Sequence, residues 1–156
     1  MTTLMAYPSR DQLRGDHGFT LIEILVVVFI IGVLAAIAIA SLLSQQSKSF
    51  DAVAKEVARN GQTAAETYST EHEGKYDNLS PEALHEVDIT LQTAAGNRDA
   101  YLSVAEAKES GRGYVLTAVA AGGGDSFTIT RKENGEVSRT CKAGSSNQGG
   151  CATGTW

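Results

Sequence analysis

The distribution of apolar and polar positions divides the chain into three regimes. From Phe19 to Leu43 almost every position is apolar, with Thr20, Glu23, Gly32 and Ser41 as the interruptions. At about 1.5 Å per residue this run is long enough to cross a hydrocarbon core of roughly 30 Å. From residue 44 the apolar positions narrow to a stripe. Phe50, Val53, Ala54, Val57, Ala58, Gly61, Ala64, Ala65 and Tyr68 recur at intervals of three and four, which is one face of a helix. No proline lies between Phe19 and His72, so both stretches are predicted to form one helix of about 80 Å. Its first half requires lipid or other helices, and its second half requires a domain to lean on.

The helical period breaks in "HEGKYDNLSPEAL", where Gly74 reads as a stop and Ser80-Pro81-Glu82 as the start of a short helix. A connecting region up to Arg112 follows. Beyond it, Tyr114–Ala120, Ser126–Lys132 and Glu136–Cys141 are β-like and are separated by Gly122-Gly123-Gly124-Asp125 and by Glu133-Asn134-Gly135. This pattern predicts a three-stranded antiparallel meander with a tight Asn-Gly turn. The glycine triplet reads as a loop, since no strand-to-helix context and no following Lys-Ser/Thr make it a phosphate cradle. The fold class expected is α+β, a long N-terminal helix packed on a small antiparallel sheet. The surface left for partners is the connecting region Glu73–Arg112 with the segment Cys141–Trp156, and Trp156 itself is expected to pack back on the domain.

Charge and cysteine usage narrow the function. The chain has 13 Lys+Arg against 18 Asp+Glu, a net charge of −5, which gives no counterion-release drive toward nucleic acid. Direct nucleic-acid binding is therefore not expected. Cys141 and Cys151 bracket "CKAGSSNQGGC", a Gly/Ser-rich loop with little means of holding its own shape. A disulfide in an oxidising compartment is the economical reading, worth about 3 kcal/mol in the chain-entropy model. Zinc would be two ligands short, and a redox pair normally sits closer together. His17, His72 and His85 show no metal-ligand spacing, and no Ser or Thr is marked as a nucleophile. Neither a metal, a cofactor nor a catalytic residue is expected, and the chain reads as a structural or interaction protein rather than an enzyme.

Glu23 needs an explanation. A carboxylate inside a membrane helix costs about 2.5–3.5 kcal/mol on insertion scales, less near the interface, so it calls for a cationic partner. The plainer reading is an acid near a helix start, favourable to the helix dipole and still wet. The residues before it, Met1 to Gly18, are short and polar and read as a removed leader. Within that leader Arg10 and Arg14 offset Asp11 and Asp16, and Arg14-Gly15-Asp16 is a tripeptide that arises easily by chance. Asn78-Leu79-Ser80 matches a glycosylation tripeptide but is followed by Pro81, and no role is assigned to it.

"GFTLIEILVVVFIIGVLAAIAIA", residues 18–40, resembles the N-terminal signature of type IV pilins and pseudopilins. The likeness combines a charged leader ending in Gly18, Phe19 as the first mature residue, Glu23 as the fifth, and an apolar helix running into an amphipathic one. It implies a leader at 1–18, a transmembrane and filament-core helix at 19–43, and a globular pilin domain at 44–156. It also implies cleavage between Gly18 and Phe19 by a prepilin peptidase and N-methylation of Phe19. The precursor would rest in the inner (cytoplasmic) membrane. The pilus assembly machinery would then move it into an extracellular, cell-surface homopolymer, where Glu23 pairs with the N-terminal amine of a neighbour. Such a filament would serve adhesion, motility or DNA uptake. A pseudopilin of a type II secretion or competence machine shares every one of these features. A third reading takes Ala38-Ile39-Ala40 as an ordinary signal-peptidase site releasing a soluble binding protein from Ser41. The long apolar run and the acidic Glu23 before it oppose that reading. Where many family members carry a proline, this chain reads Ala38-Ile39-Ala40-Ser41, which puts the usual kink in doubt, while Gly32 weakens the helix locally.

Overall fold

Apolar residues without interruption by proline give a helix its continuity, and a computed structural model of the chain contains such a helix. The structure describes residues 18–96, 99–144, 150–151 and 153–156; residues 1–17 of the expected leader, with Arg14-Gly15-Asp16 and His17, lie outside them. Helix α1 runs from Leu21 to Glu71 without a break at Gly32 or at Ala38–Ser41. The chain divides between Ala38 and Ile39 into two units. In the first, every described residue is exposed, and α1 is long and apolar enough to cross a membrane.

In the second unit, α1 is amphipathic. Ala54, Ala58, Ala65 and Tyr68 are buried, as are Gly61 and Ala64, while Val53 at the edge of the predicted stripe is 42% exposed. Apart from Tyr68 these residues are small, so the sheet approaches closely: a Cβ on Gly61 would stand 3.4 Å from a methyl of Leu102. The bulk of the core comes from the other side, from Leu102, Tyr114, Leu116, Phe127 and Ile129, all fully buried. Each such side chain contributes about 1.5–3 kcal/mol by leaving water.

α1 ends at Glu71, and the chain then takes left-handed conformations at Glu73 and Gly74 (φ +56° and +78°), with the Gly74 N–H donating to Ser69 O at 2.8 Å. That bond satisfies a carbonyl left open by the helix end. Helix α2, Pro81–Val87, begins where the sequence predicts it: Ser80 is the N-cap, its Oγ accepting from the Ala83 N–H at 3.1 Å, and Pro81 occupies the first helical position.

The sheet contains four strands, β1 (Tyr101–Lys108), β2 (Gly113–Val119), β3 (Ser126–Arg131) and β4 (Val137–Lys142), in the order β1-β2-β3-β4 and antiparallel throughout. The expected three-strand meander is thus extended by β1, which lies inside what the sequence assigns to a connecting region and removes Leu102 and Ala105 from the partner-facing surface. On β2 and β3 alternate residues face α1, and on the opposite face Thr117 and Thr128 share a hydroxyl hydrogen bond of 2.9 Å. The Asn-Gly turn joins β3 to β4, with Gly135 at φ +83° and Lys132 N–H donating to Glu136 O at 2.9 Å.

Candidate assembly site

The helix start explains part of Glu23. Thr20 caps α1: its carbonyl accepts the N–H of Ile24, and its Oγ1 accepts the N–H of Glu23 at 3.3 Å. In return Glu23 Oε2 accepts the backbone N–H of Thr20 at 2.9 Å and its hydroxyl at 2.7 Å. This is a reciprocal capping box. The Thr-x-x-Glu spacing before an apolar run is legible in "TLIE", and it is the feature the sequence reading passed over. Glu23 makes no ion pair among the described residues. It borders a shallow apolar hollow formed by Phe19, Ile22, Val26 and Val27, and Gly18 and Phe19 stand exposed just before the cap. Gly18, Phe19 and Glu23, to which the resemblance assigns cleavage, methylation and assembly, therefore lie in one short, exposed segment.

In the domain, α1 is fastened to the sheet through Glu66. Its carboxylate accepts the hydroxyls of Tyr76 at 2.8 Å and Tyr114 at 2.9 Å and pairs with Arg131 Nε at 3.2 Å. Burial, and then the adjacent carboxylate, push the Tyr114 phenol far above its ordinary range, so it stays a donor. Tyr68 donates to Asp77 O at 2.9 Å and Tyr76 N–H to Gly111 O at 2.8 Å, tying the segment that follows α1 to the helix and to the turn between β1 and β2.

At the other end of the domain Cys141 and Cys151 form a disulfide with Cα atoms 5.7 Å apart. Two buried carboxylates hold the chain around it. Asp125 accepts from Gly144 N–H at 2.8 Å and Cys151 N–H at 3.2 Å, and Asp51 of α1 accepts from Gly150 N–H at 2.6 Å. Lys55 Nζ donates to Gly150 O at 3.2 Å and lies 5.0 Å from the Phe127 ring centre. Burial above all, together with the nearby Asp125 charge, raises the Asp51 carboxyl above its ordinary value against the opposing Gly150 N–H and Lys55. Trp156 meets Phe127 edge-to-face, donates from Nε1 to Thr140 O at 2.9 Å, and is flanked by Arg59 and Arg139. It is half-buried against the domain.

His72 and His85 each bond a backbone carbonyl through Nδ1, to Tyr68 O and Leu91 O at 2.8 Å. No group of His, Cys, Asp and Glu among the described residues could hold a metal ion.

With this geometry in hand, comparison with known proteins is informative at one end of the chain. Residues 13–39 match the family model for the prokaryotic N-terminal methylation motif, the prepilin signature of type IV pilins and pseudopilins. No match was found among curated proteins or solved structures. The motif implies processing by a prepilin peptidase and handling by assembly machinery. Motif and apolar helix together fit a membrane-anchored precursor.

Proposed function

We propose that this chain, a prepilin-type precursor by its N-terminal signature, is a structural, non-catalytic subunit of a type IV pilus. In this reading it is cut between Gly18 and Phe19, N-methylated on Phe19 and polymerised through α1 into an extracellular filament. The observation that carries the reading is the conjunction, within one segment, of the methylation motif with an apolar helix exposed at every described position from Leu21 to Leu43. A helix apolar all round needs lipid before assembly and other helices after it.

The capping box supplies a specific role for Glu23. Its carboxylate is held at the first turn by Thr20, the residue next to Phe19, on which cleavage creates the new amine. Transfer from lipid into a bundle of helices removes water from this carboxylate, and a neighbour's terminal amine supplies the compensating charge. The pairing fixes one stagger among otherwise interchangeable apolar surfaces.

The test is Glu23→Ala as the sole copy in the native host, followed by shearing and quantification of surface filaments. The expected result is a processed chain retained in the membrane and missing from the sheared fraction. Normal filaments from Glu23→Ala would remove the assigned role.

A further inference from the structure

We infer that the two ends of the globular domain form a head-to-tail electrostatic contact between copies of this chain; the inference rests on the filament reading above. In the second unit, the exposed charges that enter no ion pair among the described residues are segregated by sign. Where α1 ends and α2 packs beside it, Glu71 and His72 share a groove with Glu86, and Glu73 and Asp77 line the adjoining surface. Glu82 extends the same acidic face; Lys75 is the cation there that enters no ion pair among the described residues, while Lys108, Arg112 and Lys132 at the neighbouring strand ends are paired with Glu106, Glu133 and Glu136. At the disulfide end the sign reverses. Lys48 lies one turn before Asp51 on α1, and Lys142 stands beside Cys141 at the end of β4. Arg59 and Arg139 flank Trp156 close by. Two of the acids at this end, Asp51 and Asp125, are buried and accept from backbone N–H groups, which leaves Glu56 and Asp99 as the exposed acids among the described residues.

A polymer with a single polarity joins one surface of each subunit to a different surface of the next. In an acidic protein of net charge −5, two like ends would repel, whereas the basic disulfide end matches the acidic α1–α2 end. The partner for Lys48 and Lys142 is therefore the acidic end of a second copy. Complementary charge of this kind sets register and suppresses wrong pairings. Lys48, Lys142, Glu71 and Glu86 enter no ion pair among the described residues, so reversing them breaks no salt bridge of the subunit itself. Lysine at the last turns of α1 and α2 also suits the helix dipole.

The experiment expresses full-length K48E/K142E, E71K/E86K and the combined fourfold variant in the native host. It reads sheared filament yield beside the membrane pool's N-terminus and melting temperature. The expectation is an unchanged, correctly processed membrane pool for all three, a yield lowered about tenfold or more for either pair alone, and recovery in the fourfold variant. Wild-type yield from either pair alone, or loss that the fourfold variant does not restore, overturns the inference while leaving the filament reading in place. The second outcome would mean that the basic end acts on some other anionic partner. A wild-type chain that is processed at Phe19 but forms no filament overturns the filament reading and this inference with it.

Discussion

Glu66 and Tyr114, 48 positions apart, meet through a hydrogen bond of 2.9 Å that ties α1 to the second strand of the sheet. Tyr114 is fully buried, and the same carboxylate also accepts from Tyr76 and pairs with Arg131. Replacing Glu66 by Ala leaves two largely buried hydroxyls short of their acceptor. The expected loss is about 2–3 kcal/mol, read as a lowered denaturation midpoint of the detergent-solubilised protein. Glu66→Gln costs less, because its carbonyl still accepts one hydroxyl.

The disulfide joins positions ten apart in a segment otherwise held by Asp51 and Asp125. Cys141→Ser with Cys151→Ser is expected to cost about 3 kcal/mol in the chain-entropy model. A reductant should lower the wild-type melting temperature and leave the double variant unmoved. Equal shifts in both proteins would contradict the assignment.

Acidification should act on Asp51 in an unusual direction. Its carboxyl is raised by burial and by the Asp125 charge, so the folded state binds its proton more tightly than the unfolded state does. Its ionised form therefore penalises folding above the raised value, and the penalty is relieved as pH falls through it. Asp51→Asn removes the ionisation while keeping an acceptor for Gly150 N–H. The stability advantage of Asn over Asp is expected to be greatest near neutral pH and to shrink on acidification, measured as paired melting curves across pH. An advantage that grows toward acid would refute this.

The parts of the fold that were legible in the sequence share a local cause. The stripe through Ala54, Ala58, Ala65 and Tyr68 follows the helical period. Ser80-Pro81 is a self-contained start signal, and β2 and β3 alternate with β-branched and aromatic residues. β1 was not legible, because Tyr101–Lys108 is rich in Ala, Glu and Lys, which weaken a strand signal. A register shift between Leu102 and Val104 also breaks its alternation. Long-range polar contacts were hidden for a different reason. Glu66 finds Tyr114 48 positions away, and Asp51 bonds a glycine 99 positions on, so no local window along the chain contains both partners. In the candidate site, the prepilin motif was readable because it is contiguous. The Thr20–Glu23 box is equally contiguous, its Thr-x-x-Glu spacing standing in "TLIE" before the apolar run.

The central claim is tested most directly by the intact mass and N-terminal sequence of the protein sheared from the cell surface. The account predicts a chain beginning at N-methylated Phe19 and present in the sheared filament fraction. A chain beginning at Ser41 and free in the medium would contradict it, because Glu23 would then belong to a discarded signal sequence and could have no part in assembly.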